Sequence, residues 1–259
     1  MPRRASFGLE EIASLDTLSA AFWRAGRRCR DREAVRRFGA DLDGNLARLR
    51  EDILCERAPR GVWTELAVFD PKPRRILAPC FEDRVLHHAL MAWMGSVLDR
   101  ALVADTFACR EGRGTLAAVL RAQAHARRFA WFVKVDVRAS FASIDHELLR
   151  ALLARRFKHP ALLGLCARIL ARAPVTPGRG LPIGALTSQH FANTFLDGFD
   201  RFLLEGLRVR GMARYMDDVV WWCDTADAAR ETLRAAREFL SRERGLALKH
   251  PAQVGPSAR

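Results

Sequence analysis

Long apolar runs are missing from this sequence. The longest nearly apolar stretch, Ala89 to Leu98, is too short to cross a bilayer. The opening residues, MPRRASFGLEEIASL, have no apolar core behind their basic residues, so no secretory signal is expected. Paired cysteines are missing too. Cys29, Cys55, Cys80, Cys109, Cys166 and Cys223 form no Cys-x-x-Cys pair, and none lies near a His at zinc-ligand spacing. Free thiols in a reducing cytoplasm are the expectation, with no membrane association. There is no internal repeat and no long low-complexity segment. Acid is in short supply: 30 Asp and Glu face 43 Lys and Arg, for a net charge of +13. Such a surplus favours a polyanionic partner, nucleic acid ahead of an anionic membrane, although an Arg- and Ala-rich proteome would also produce part of it.

What is present is enough for a core. At 259 residues and 49% hydrophobic content, the chain can form one large or two small domains. Residues 1 to about 58 read as helical, with Leu9, Ile12, Leu15, Leu18 and Phe22 at three- and four-residue steps. Arg24, Arg27, Arg28, Arg30, Arg32, Arg36 and Arg37 crowd around them, either as a solvated face or as a track for a phosphate backbone. Val62–Phe69 and Arg74–Ala78 read as strands around the turn Asp70-Pro71-Lys72-Pro73. Helix follows from Phe81 to Ala104, where the adjacent His87 and His88 point to different faces and make a poor metal pair. After the glycine-bearing loop 107–114, helices are expected from Thr115 to Arg128, from Leu148 to Ala173, from Phe191 to Leu207 and from Ala226 to Arg244.

Two stretches carry chemistry. In Arg214-Tyr215-Met216-Asp217-Asp218-Val219-Val220-Trp221-Trp222, adjacent carboxylates sit between short apolar runs. A β-hairpin with its turn at Met216-Asp217-Asp218-Val219 would hold them at an exposed tip. Side-by-side acids repel unless a cation neutralises them, and Mg²⁺ favours hard oxygen ligands while keeping positions open for phosphates. The plain alternative is a solvated turn. In Trp131–Phe141 an aromatic and β-branched strand ends in Asp136, making it the candidate third carboxylate, while Asp145 is placed to cap the next helix.

In order and spacing, these motifs resemble a reverse transcriptase over about residues 60 to 253. The resemblance rests on Val135-Asp136-Val137 through Phe141, on Leu181-Pro182-Ile183-Gly184 with Ser188-Gln189 and Ala192-Asn193, and on Tyr215-Met216-Asp217-Asp218. Pro71-Lys72-Pro73-Arg74 and Asp83-Arg84-Val85-Leu86-His87-His88 look like the fingers of the same family. Leu-Pro-Ile-Gly-Ala-Leu-Thr-Ser-Gln, with Ile183 and Gln189 where most bacterial members have Gln and Pro, is similar to enzymes of diversity-generating retroelements. Those copy a template RNA with frequent errors at adenines, helped by a small basic accessory protein. The alternatives are a group II intron-like or defence-associated reverse transcriptase, or a truncated non-catalytic RNA-binding remnant.

The resemblance implies an α+β right-hand polymerase, its antiparallel palm sheet packed on helices. Residues 1–58 would be a basic helical N-terminal extension and 59–130 the fingers. The palm would be 131–253, with 155–180 joining the fingers, and 254–259 a short tail with no thumb. Asp136, Asp217 and Asp218, with the Val137 carbonyl, would hold two Mg²⁺, with Mn²⁺ as a substitute ion. Lys72 with Arg74 or Arg75 would clamp the triphosphate, and the amides of Arg138, Ala139, Ser140 and Phe141 would receive phosphates, Phe141 crowding a 2′-hydroxyl. Ile183, Gly184, Ser188 and Gln189 would line the nascent base pair, and Tyr215, Met216, Arg110 and Arg113 would meet primer or template. The partners implied are template RNA, primer and cDNA, and dNTPs. The family's lysine of the last palm motif belongs near Gln253; Lys249 is the nearest here.

Overall fold

The computed structural model describes residues 4–27, 29–69 and 73–257. In chain order the elements begin with α1 (Leu9–Ile12), α2 (Leu15–Gly26), α3 (Glu33–Ala40) and α4 (Leu42–Leu54). Then come β1 (Trp63–Phe69), β2 (Pro73–Pro79), α5 (Phe81–Ala101), α6 (Thr115–Arg128) and β3 (Trp131–Asp136). The short α7 (Ser140–Ser143) leads to α8 (His146–Ala154), α9 (Pro160–Ala171) and α10 (Leu186–Arg201). The chain closes with β4 (Gly211–Tyr215), β5 (Asp218–Cys223), α11 (Ala226–Phe239) and β6 (Gln253–Pro256). Helices α10 and α11 each run on into a π-helical turn, Phe202–Gly206 and Leu240–Arg244. The class is α+β with antiparallel sheets, as the sequence predicts. Among the described residues no helix is long and apolar enough to cross a membrane.

The chain divides into two compact units, 1–98 with 146–188 and 99–145 with 189–259. This differs from the expected boundaries at 58/59 and 130/131. The N-terminal helices pack on α5: Phe22 stacks on Phe38 at 5.6 Å, and Phe81 sets its edge against both at 5.8 and 5.5 Å. Ile12, Leu18, Ile53, Val85, Leu86 and Leu90 complete that buried layer. Ser14 and Asp41 cap α2 and α4 by accepting the N–H of Thr17 and Gly44. The helix expected over 148–173 is two helices. Pro160 lacks an N–H and opens α9 at its first turn, so the chain breaks between Arg155 and His159. In the same unit β1 and β2 form a seven-pair hairpin from Trp63↔Pro79 to Phe69↔Pro73.

The second unit is built on a four-stranded antiparallel sheet in the order β4-β5-β3-β6. Period-two alternation sends Val133 and Val135 with Val219 and Trp221 to one buried face, where the Trp221 indole N–H donates to Thr232 of α11. The other face, with Phe132, Val220, Trp222 and Ala213, packs on Phe107 and the alanines of α6. The segment expected as a tail from 254 is instead the edge strand β6, paired with β3 from Trp131↔Pro256 to Lys134↔Gln253. The physical reason is the open edge of β3, whose backbone groups need partners.

His87 is a packing residue of the first unit, buried, with its Nδ1 3.4 Å from the Thr187 hydroxyl. Burial, reinforced by His88, pushes its pKa down from 6.5 to about 4. The unfolded chain therefore takes the proton first as pH falls. Stability is full above about pH 6.5 and declines toward pH 4. Replacing His87 with Leu is expected to flatten that acid decline, worth roughly 3 kcal/mol, in urea unfolding followed from pH 7 to pH 4.

Candidate active site

Strand register brings the acids of the second unit together. Asp136, the last residue of β3, lies directly opposite Asp218, the first of β5, on one face of the sheet. Like charges in that cross-strand position destabilise a sheet unless something compensates. Asp217 sits in the two-residue turn between Tyr215 and Asp218, two residues shorter than the expected 216–219 turn, with Asp218 and Val219 in β5. Met216 takes the left-handed conformation that such a turn requires, with φ 56°. The Asp217 carbonyl accepts the Val137 N–H at 3.1 Å, tying the turn to the end of β3. Asp217 is half-buried and Asp218 exposed.

The field in this cluster is negative enough to move protons. Burial pushes the Asp217 carboxyl up from its ordinary value, and Asp136 and Asp218 push it further; Lys249 opposes them. The Lys249 ammonium lies 2.6 Å from Asp136, and that bond raises the lysine's own pKa. Three carboxylates thus lie together, Asp136 bonded to the Lys249 ammonium, and hard oxygen donors are the kind that suit Mg²⁺. Among the described residues, no group of three or more His, Cys, Asp or Glu is arranged to hold a metal ion as it stands.

A buried network holds the turn from behind. Arg214, the last inward residue before the turn, is fully buried. Its guanidinium donates to both Asp200 oxygens at 2.7 and 2.9 Å, to the Asn193 amide oxygen at 2.9 Å and to the Met216 carbonyl at 3.0 Å. Asp200 also accepts from the Thr106 hydroxyl at 2.8 Å, and Asn193 donates to the Ala108 carbonyl at 2.8 Å. Burial pushes Asp200 up, and the guanidinium beside it works against that shift. None of these roles was read from the sequence. The available signal was a carboxylate, Asp200, on a helix otherwise carrying Leu196, Phe199 and Leu203 inward.

Matching the chain against known families places residues 70–250 in the family described as reverse transcriptase (RNA-dependent DNA polymerase). The chain belongs to the reverse transcriptase family. Two curated relatives are more distant. The protein ascribed to COX1/OXI3 intron 2 of Saccharomyces cerevisiae is 22% identical over 128 residues, 47% of this chain and 15% of that protein. An uncharacterised 91 kDa protein in the cob intron of Schizosaccharomyces pombe is 25% identical over 150 residues, 56% of this chain and 18% of that protein. This reverse transcriptase chain thus matches under a fifth of the length of either relative.

The remaining expected site residues of the reverse transcriptase divide into presented and occupied. Arg74 is exposed on β2. Arg75 is exposed too, but ion-paired with Glu65 across the hairpin at 2.6 Å. Lys72 lies outside the described residues. Ile183 is 44% exposed, and its carbonyl accepts the Leu77 N–H at 2.7 Å. Gly184 is needed there: at φ 122° a Cβ would lie 2.8 Å from the Leu77 carbonyl oxygen. Gln189 is half-buried and accepts from the Cys109 thiol at 3.2 Å. Tyr215 is exposed and borders, with Asp218, a groove of about 260 Å³ along α6. Phe141 is half-buried in α7, after the left-handed Ala139.

Four expectations need correction. Arg110 does not face a nucleic acid: its side chain is buried, bonded to Asp99 at 2.5 Å and to the carbonyls of Val103 and Thr106. Arg113 folds back onto the Ala104 carbonyl and lies over the Phe107 ring. Arg110 is consumed in closing the loop 102–114, whereas Arg113 stays half-exposed with one of its nitrogens bonded. Ser188 is buried in α10 at 2% exposure, so its hydroxyl does not line an open pocket. The Arg138 amide is taken by the Ala247 carbonyl at 2.7 Å and is not presented to a phosphate.

Two outcomes are expected. The folded-state value of Asp217 lies above its unfolded one, so its charged form costs stability once pH rises through the folded value. With chelator present, Asp217→Asn should melt higher than the parent at pH 7, and the two should converge as pH falls toward 3.8, the ordinary Asp value. A variant melting lower at pH 7 would contradict this. Arg214→Met leaves the Asp200 charge buried and unpaired, for an expected loss of roughly 3–5 kcal/mol in urea unfolding. Combining it with Asp200→Leu should recover much of that loss.

Proposed function

We propose that this chain is an RNA-directed DNA polymerase that extends a primer along a template RNA using dNTPs. The observation that carries the reading is the register placing Asp136 opposite Asp218, with Asp217 in the adjoining turn, in a chain of the reverse transcriptase family. In this reading the second unit is the palm, and the first, with its exposed Arg74, carries the fingers. Asp136, Asp217, Asp218 and the Val137 carbonyl are the groups that would hold Mg²⁺. When bound, the ions supply Lewis-acid activation of a 3′-hydroxyl and neutralisation of the triphosphate. The protein's share is positioning. Arg214 fixes the turn, the amides of Ala139 to Phe141 receive phosphate, and the Phe141 ring excludes a 2′-hydroxyl from the sugar site. Ile183, held by Gly184 against β2, offers apolar contact to a base and no hydrogen bond.

Within that activity, Ile183 and Gln189 support an error-prone enzyme of the diversity-generating kind, served by a small basic accessory protein. A second reading, an intron-type enzyme, is favoured by the two relatives, whose names place them in introns. Primer extension on an RNA template with Mg²⁺ tests the activity: incorporation is expected from the parent, falling by at least about 10³-fold in Asp217→Ala, on the scale of losing a metal-charge contribution. Equal incorporation by both would overturn the polymerase reading. Sequencing the products separates the subtypes. Frequent errors opposite adenine, reduced in Ile183→Gln, support the first, and uniform accuracy supports the second.

A further inference from the structure

Lys249 meets Asp136 with its ammonium 2.6 Å from each of the two carboxylate oxygens. The main chain around it is stitched to the end of β3. The Lys249 N–H donates to the Asp136 carbonyl at 2.8 Å, the Arg138 N–H donates to the Ala247 carbonyl at 2.7 Å, and Val137 bridges to Leu248. Residues 247–249 therefore stay where they are while β3 is intact. The side chain is free to do otherwise: it is 52% exposed and ends a flexible four-carbon stem. An ammonium lying across both oxygens of Asp136 and a divalent ion drawn to the same oxygens are rivals for one place.

We propose that Lys249 is a tethered counter-ion that competes with the divalent cation for Asp136, and that loading of the site swings its ammonium into solvent. The inference rests on the reading of Asp136 and Asp217 as the metal-holding pair. It accounts for two features together. The cross-strand acids are compensated by a cation the chain carries itself, and the carboxylates are not arranged to hold a metal ion as they stand because Asp136 is turned to the lysine. The tether keeps the compensating charge within reach, so the acids are never left bare between loading events. Its cost is a weaker hold on the metal.

Mn²⁺ binding followed by electron paramagnetic resonance, on the parent, Lys249→Met and Asp217→Asn, tests this alongside acylation of lysines mapped by mass spectrometry. Lys249→Met is expected to bind Mn²⁺ roughly two- to fivefold tighter, the range of a half-exposed ion pair. In the parent, saturating Mn²⁺ should speed acylation of Lys249 several-fold and leave the exposed Lys158 unchanged; this arm needs no variant to fold. Unchanged or weaker Mn²⁺ affinity in Lys249→Met, with unchanged labelling of Lys249, overturns the competition. Binding that Asp217→Asn abolishes while Lys249→Met leaves it untouched overturns this inference alone. Failure of the parent to bind Mn²⁺ overturns the metal reading with it.

Discussion

Like charges held opposite one another organise the second unit. Asp136 and Asp218 face each other across the β3–β5 ladder, and Asp217 adds a third charge from the turn. A sheet tolerates this only with compensation, because cross-strand acids oppose the pairing that brings them together. The chain provides one cation in front of the cluster, Lys249, and a second behind the turn, Arg214. They differ in kind. Lys249 is a point charge on a flexible stem at a half-exposed site, whereas Arg214 is a planar fork, fully buried, whose donors are divided among Asp200, Asn193 and Met216.

That difference separates holding the acids in place from neutralising them. Arg214 anchors the turn through the Met216 carbonyl, and the Asp217 carbonyl accepting the Val137 N–H ties it to the end of β3. A buried pair of this kind contributes little net stability against an apolar replacement, yet removing one partner is costly. Its place directly under the acidic turn is consistent with specificity of geometry being what it provides.

The strands and the acid pair were legible in the sequence because their signals are local. Alternation over Trp131–Asp136 sets the first strand, while the turn falls at Met216-Asp217 and leaves Asp218 and Val219, expected in the turn, as strand residues paired with Tyr215 and Arg214. Less legible were contacts between residues far apart in the chain. Arg110 and Arg113 read as nucleic-acid contacts because a loop arginine beside glycine looks free. Only the fold reveals that Asp99 and the carbonyls of residues 103 and 106 use up Arg110, and that Arg113 turns back to the carbonyl of residue 104. The edge strand Gln253–Pro256 was missed because Gly255 and Pro256 are poor strand formers, placed there by the open edge of β3 and not by propensity. Pro160 was a local signal overlooked: it breaks the apolar periodicity of 148–173 into two helices.

The central claim is that Asp136 and Asp217 jointly hold a divalent cation. Anomalous diffraction from crystals of the chain soaked in Mn²⁺ addresses it most directly. The account predicts a manganese peak within ligand distance of both the Asp136 and the Asp217 carboxylates, absent in Asp217→Asn crystals. Manganese found elsewhere, or bound to Asp218 alone, would contradict it.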